Sequence, residues 1–236
     1  MSINQFKGIV INASFPRSGH RFLRELCMSY FAKEMCFFDS YSQNRIVNGR
    51  LQKDTNSPSN YIKAHDFDLL GFDIFKEQFP LRRKYIVQVR HPLEAIASYY
   101  EFALKNGEVK QDTKVNWLNF LKEKLSYWKG FCKAWLTEES SSVLLVTYND
   151  LYHSTESELK RIIRFISGAD KVDEPRLSTL ISKKSFNQYV GEKDSAKSKK
   201  RDVSDFKYFD KALFKAIEDE LFTSYLSPLG INRLSV

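Results

Sequence analysis

The chain has 236 residues, with 37 Lys and Arg against 29 Asp and Glu, and a formal net charge of +8. That is the length of one domain with a substantial core, and 42% hydrophobic with 14% aromatic residues excludes wholesale disorder. No apolar run reaches the roughly 20 residues of a membrane helix, and Met1 to Lys7 lacks the apolar stretch of a secretory leader, so a cytoplasmic protein is expected. Cys27, Cys36 and Cys132 cannot all pair. They read as reduced thiols in helices, with a Cys27–Cys36 bridge as the alternative. Four scattered histidines give a structural zinc site little to build on, and no metal is expected. The positive balance points to an anionic ligand without saying which kind.

Gly8 to Ser14 is short, apolar and rich in β-branched residues, which predicts a buried strand. Phe15 to His20 breaks it, and Phe22, Leu23, Leu26, Tyr30 and Phe31 then recur at helical spacing. Residues 39–60 are polar and read as loop. Tyr61 to His65 reads as a short strand running into a loop, and Lys84 to Val89 as a buried strand stopped by Arg90-His91-Pro92. Pro92 suits the first turn of a helix, whose inner face would carry Ile96, Tyr99, Tyr100 and Ala103. A long amphipathic helix is predicted from Val115 to Leu136, with all three tryptophans. Ser142 to Tyr148 is the next strand and Thr155 to Ile166 the next helix. Residues 183–207 are polar and charged, and a last helix runs from Asp210 to Leu226. Four strands that are apolar throughout, separated by helices, predict one three-layer α/β domain over residues 1–236. Its central, mainly parallel sheet would be covered on both faces.

Two segments carry chemistry. A glycine-containing turn that feeds a helix N-terminus aims several backbone N–H groups at one point, with the helix dipole behind them. At 14–22 that turn also holds Arg17, Ser18, Gly19, His20 and Arg21, which add cationic and hydroxyl donors. It is not a nucleoside-triphosphatase loop, because position 14 is Ser14 and no Lys-Ser/Thr follows Gly19. Arg90 sits at the carboxyl end of a strand, the edge where open α/β sheets place ligands. Ser98 lies two helical turns further on, where it can share an anion with Arg90. Taken alone, both segments also fit a plain βα turn and a helix cap.

Together the segments resemble one family. Ser14-Phe15-Pro16-Arg17-Ser18-Gly19 is similar to the P-loop-like 5′-phosphosulfate loop of sulfotransferases that use 3′-phosphoadenosine 5′-phosphosulfate (PAPS). Tyr85 to Tyr100, with Arg90 and Ser98 at the same separation, resembles the 3′-phosphate segment. Tyr61-Ile62-Lys63-Ala64-His65 resembles the Lys-x-His of the cytosolic branch, and Val146 to Leu151 the later strand whose tyrosine contacts the nucleotide. The resemblance covers residues 8–151 and implies sulfuryl transfer from PAPS to a hydroxyl or amine, leaving the bisphosphate PAP. It implies His65 as general base, Lys63 beside the transferring group and Arg17 at the leaving phosphate. It also implies nucleotide contacts from Arg17, Ser18, Gly19, His20, Arg21, Arg90, Ser98 and Tyr148.

The departures are specific. His20-Arg21 stand where two hydroxyl residues are common, while Phe22 stands where the cytosolic enzymes carry an adenine-stacking Trp, so an aromatic is retained and counts among the implied nucleotide contacts. The late Arg-Lys-Gly motif is missing as such, and Lys199, Lys200 and Arg201 read either as its substitutes in nucleotide binding or as a solvated charged loop. The length suits a bacterial member acting on a small-molecule, lipid or glycan acceptor. Phe72, Phe75, Phe79, Trp117 and Tyr127 offer either a pocket wall or core packing. Three other readings stay open: a magnesium-dependent kinase, a PAPS-binding protein without catalysis, and a nucleic-acid module built on the 197–201 run.

Overall fold

The computed structural model describes residues 8–39, 46–47, 50–51, 59–65, 82–136, 141–168, 171–183 and 202–234. The strands are β1 (Gly8–Ser14), β2 (Met35–Asp39), β3 (Ile46–Val47), β4 (Arg50–Leu51), β5 (Ser59–Ala64), β6 (Arg82–Val89) and β7 (Val143–Thr147). The α-helices are α1 (His20–Phe31), α2 (Pro92–Lys105), α3 (Lys114–Leu136), α4 (Tyr148–His153), α5 (Thr155–Ser167), α6 (Glu174–Lys183) and α7 (Lys211–Leu221). Five strands form one sheet in the order β2-β5-β1-β6-β7, and every pairing in it is parallel. β3 and β4 make a small separate antiparallel pair inside the stretch expected to be loop.

The strands are apolar on both faces because both faces are covered, and alternation along each strand sorts residues into two cores. Ile11, Ala13, Ile62, Val87 and Val89 point to the side packed by α2, α3 and α7. Val10, Tyr61, Ile86 and Val146 point to the other side, packed by α1, α5 and α6. Trp117 and Trp128 of α3 are fully buried, so Trp117 belongs to the core and not to a pocket wall.

The sheet has one strand more than the four expected. β2 follows α1 almost directly, through a short 3₁₀ turn at Ala32–Glu34. The reversal is made by Ala32 at φ +47°, a left-handed conformation that usually calls for glycine. Cys36 therefore lies in a strand, not a helix. Cys27 in α1 and Cys132 in α3 are free and buried, and burial pushes the Cys27 thiol up to about 12. Such thiols stay protonated and behave as small apolar residues. Short helices α4 and α6 are additional to the expected set; the last expected helix is α7, continued by a π turn at Phe222–Leu226. Among the described residues no helix is long and apolar enough to cross a membrane.

Candidate active site

Parallel strands bring their carboxyl ends to one edge, so residues far apart in sequence meet there. Across the order β5-β1-β6-β7 the edge carries Lys63 and His65, then the turn after Ser14, then Arg90, then Tyr148. Four separate sequence segments thus become one line of side chains.

The turn occupies the middle of that line. Ser18 N–H donates to the Phe15 carbonyl at 3.2 Å, and Phe15 N–H donates to the Gln88 carbonyl of β6, also at 3.2 Å. Arg17 at φ +68° and Gly19 at φ +87° supply two left-handed steps before α1 starts. Gly19 is required on two counts. Its backbone is one that side chains rarely adopt, and a Cβ there would lie 2.8 Å from the Tyr148 ring. Beneath the turn, the Ser18 hydroxyl and the Gln88 amide nitrogen are buried with no hydrogen-bond partner among the described residues. Buried polar atoms are normally satisfied, so donors left open in a glycine-tight cradle at a helix N-terminus fit an anion there.

At the β5 end, His65 Nδ1 lies 2.9 Å from the Ser14 carbonyl and 3.3 Å from the Ser14 hydroxyl. A carbonyl only accepts, so Nδ1 carries the proton and Nε2 is the basic nitrogen. The Tyr127 hydroxyl of α3 donates to the His65 carbonyl, fixing the residue from the other side. His20, the first residue of α1, packs its ring edge-on to that of His65 with centroids 5.0 Å apart. Burial, then the nearby His65, Lys63, Arg21 and Arg24, push the His20 imidazole down to about 2, so it is neutral.

The β6–β7 end is built from guanidinium groups. Arg17 Nε donates to Ser98 Oγ at 3.1 Å, and Arg90 Nη1 donates to the Arg17 carbonyl at 3.4 Å. Arg90 also lies over the Tyr148 ring at 4.2 Å and pairs with Glu94 at 3.1 Å. Burial, then Arg90 and Arg21, lower the Arg17 guanidinium from its ordinary value, yet an Arg stays charged in proteins. Burial likewise raises the Tyr148 hydroxyl. A cleft of about 410 Å³ opens beside Arg90 and Tyr148, with Thr147, Asp202 and the 230–234 tail in its wall.

The edge therefore gathers Arg17, Ser18, Gly19, His20, Lys63, His65, Arg90, Ser98 and Tyr148. Arg21 stands close by but is exposed. Phe22, at 2% exposure, packs into the core with Leu23 and Leu26. Lys199, Lys200 and Arg201 lie outside the described residues, as do Phe72, Phe75 and Phe79. Sequence reasoning missed Tyr127 as the support of His65, and the buried Gln88 and Glu218. Gln88 had a signal, being a polar residue inside an apolar strand. Glu218 accepts from His91 Nε2 at 2.9 Å and from Leu234 N–H at 2.7 Å, which ties α7 and the tail to the end of β6.

The model of the sulfotransferase domain family matches residues 9–226. The chain belongs to the sulfotransferase family. A crystal structure of the mouse sulfotransferase SULT7A1 complexed with PAP superposes on 96% of this chain and 88% of its own. Its TM-score is 0.68 at 17% identity, which establishes a common fold. The 3-alpha-hydroxysteroid sulfotransferase of Cavia porcellus is 25% identical over 202 residues, 78% of this chain and 66% of that protein. A WSCD family member of Drosophila pseudoobscura pseudoobscura, GA21586, is 28% identical over 183 residues, covering 73% and 54% of the two chains. The sulfotransferase chain thus spans between half and two thirds of the length of these relatives.

Proposed function

We propose that residues 1–236 form one PAPS-dependent sulfotransferase domain, with His65 as general base and a small-molecule, lipid or glycan acceptor. The observation that carries this reading is the polarity of the catalytic edge. A histidine whose tautomer leaves Nε2 basic stands at one end of an anion cradle, and paired guanidinium groups stand at the other.

PAPS, when bound, supplies a sulfuryl group whose bond to the 5′-phosphate breaks as a bond to the acceptor oxygen forms. His65 Nε2 takes the acceptor proton as general base. The Ser14 carbonyl then faces Nδ1–H and stabilises the resulting imidazolium. Lys63 and the open donors of the turn stabilise charge on the sulfuryl oxygens. Arg17 neutralises the departing phosphate as a fixed cation, not as a proton donor. Arg90 and Ser98, joined through Arg17, hold the 3′-phosphate, and Tyr148 the nucleotide; Arg21 adds charge at the rim. A steroid-active relative supports a hydroxylated small molecule as acceptor.

Calorimetric titration with PAP, AMP, ATP and ATP with magnesium tests the reading. Tight, magnesium-independent PAP binding with AMP far weaker is expected. Binding of ATP with magnesium in place of PAP would overturn it in favour of a kinase.

A further inference from the structure

His20 is the feature of the site that the family pattern leaves unexplained. It occupies a hydroxyl position of the turn, yet its ring packs edge-on to that of His65. The two ends of the turn offer different chemistry. Toward β6, Arg17, Ser98 and Arg90 are linked to one another and concentrate positive charge. Toward β5, the two imidazoles meet at 5.0 Å with Lys63 near them.

We propose that His20 is a second imidazole of the reaction, donating a ring N–H to an oxygen of the transferring sulfuryl group while His65 takes the acceptor proton. This rests on the PAPS-dependent reading above.

Three physical arguments carry it. The base must lie against the acceptor oxygen as that oxygen approaches sulfur, so the ring packed edge-on to the base also borders the sulfur. A neutral imidazole always has one N–H to donate, and burial among His65, Lys63, Arg21 and Arg24 keeps His20 neutral. Neutrality also suits the base. His65 becomes an imidazolium during transfer, and a cation at position 20 would oppose that charge at close range. Sulfuryl oxygens share one negative charge among three atoms and accept from a neutral donor, whereas the phosphate end calls for guanidinium groups.

The test is a binding comparison that needs no knowledge of the acceptor. Affinities for PAPS and for PAP, which lacks the sulfuryl group, are measured for the wild type, His20→Phe and His20→Asn. His20→Phe keeps a ring beside His65 but has no N–H; His20→Asn keeps an N–H on a smaller side chain. Loss of a hydrogen bond to a charged group predicts PAPS binding about tenfold weaker in His20→Phe. PAP binding should stay within about threefold in that variant, and PAPS binding should recover in His20→Asn. Equal weakening of PAPS and PAP would place His20 on the phosphate and overturn the proposal. Unchanged binding in His20→Phe would reduce it to a packing residue. If the wild type bound neither ligand, the PAPS-dependent reading itself would fall, an outcome distinct from both.

Discussion

The two ends of the catalytic edge handle charge in opposite ways. Around His65 two histidines stand beside Lys63: one is oriented by the Ser14 carbonyl and Tyr127, and its neighbour is kept neutral by burial and nearby cations. Around Arg90 the groups are permanent cations, pre-engaged with Ser98, Glu94 and the Tyr148 ring. On the proposed function a proton moves at the first end, at His65, whereas charge is only held at the second. The difference teaches that a single glycine turn can serve two chemistries when adjacent strands supply different residue types to its flanks.

Substitutions break this comparison in graded ways. The largest effect is expected from His65→Ala, which should lower turnover by at least about 10²-fold while PAP affinity stays nearly unchanged. Steady-state rates and calorimetry on the same preparation check both halves. Arg90→Ala should do the converse, weakening PAP by about tenfold to a hundredfold, as expected for lost charge-assisted hydrogen bonds. AMP, which has no 3′-phosphate, should be far less affected. Gly19→Ala sits between the ends and should damage both. A Cβ against Tyr148 at φ +87° should cost at least about 1–2 kcal/mol in chemical denaturation, with PAP binding weakened as well.

Two smaller effects sharpen the comparison through stability. Glu218→Gln keeps the shape but weakens the buried pair with His91, and a loss of about 1–3 kcal/mol in a urea titration is expected. His20 makes a pH signature. Its folded value of about 2 lies below the ordinary value of about 6.5, so the unfolded chain binds a proton that the folded chain refuses. Stability from this group is therefore full above about pH 6.5 and falls as the pH drops toward 2. The slope is at most about 1.4 kcal/mol per pH unit. His20→Phe should lose less stability than the wild type between pH 7 and pH 5, read from thermal melts.

Much of this arrangement was legible in the sequence. β1, β5, β6 and β7 announce themselves as apolar runs because both sheet faces are buried, and the candidate site residues lie at their carboxyl ends. β2 was not legible, since its entry turn uses Ala32 at a positive φ and shows no Gly or Pro. α4 and α6 are short, and their starts depend on Thr147 and Asp173 accepting backbone N–H bonds from Asp150 and Arg176. At the site, residue types were readable but orientation was not. Nothing local says that Phe22 turns inward while His20 turns toward His65. Tyr127 meets His65 across 62 positions, and Glu218 meets His91 across 127; such partners are set by how helices dock on the sheet.

Those separations also set an order of synthesis. Every contact described around His65 uses residues up to 127, so a chain emerging from its N-terminus has all of them before β7 is made. The Arg90 end must wait for Tyr148 and then for Glu218, whose bonds to His91 and Leu234 close only when the last helix and tail exist. Because a domain generally folds as one unit, the His65 end, although complete in sequence by residue 127, is expected to close together with the Arg90 end, once the last helix and tail have been made.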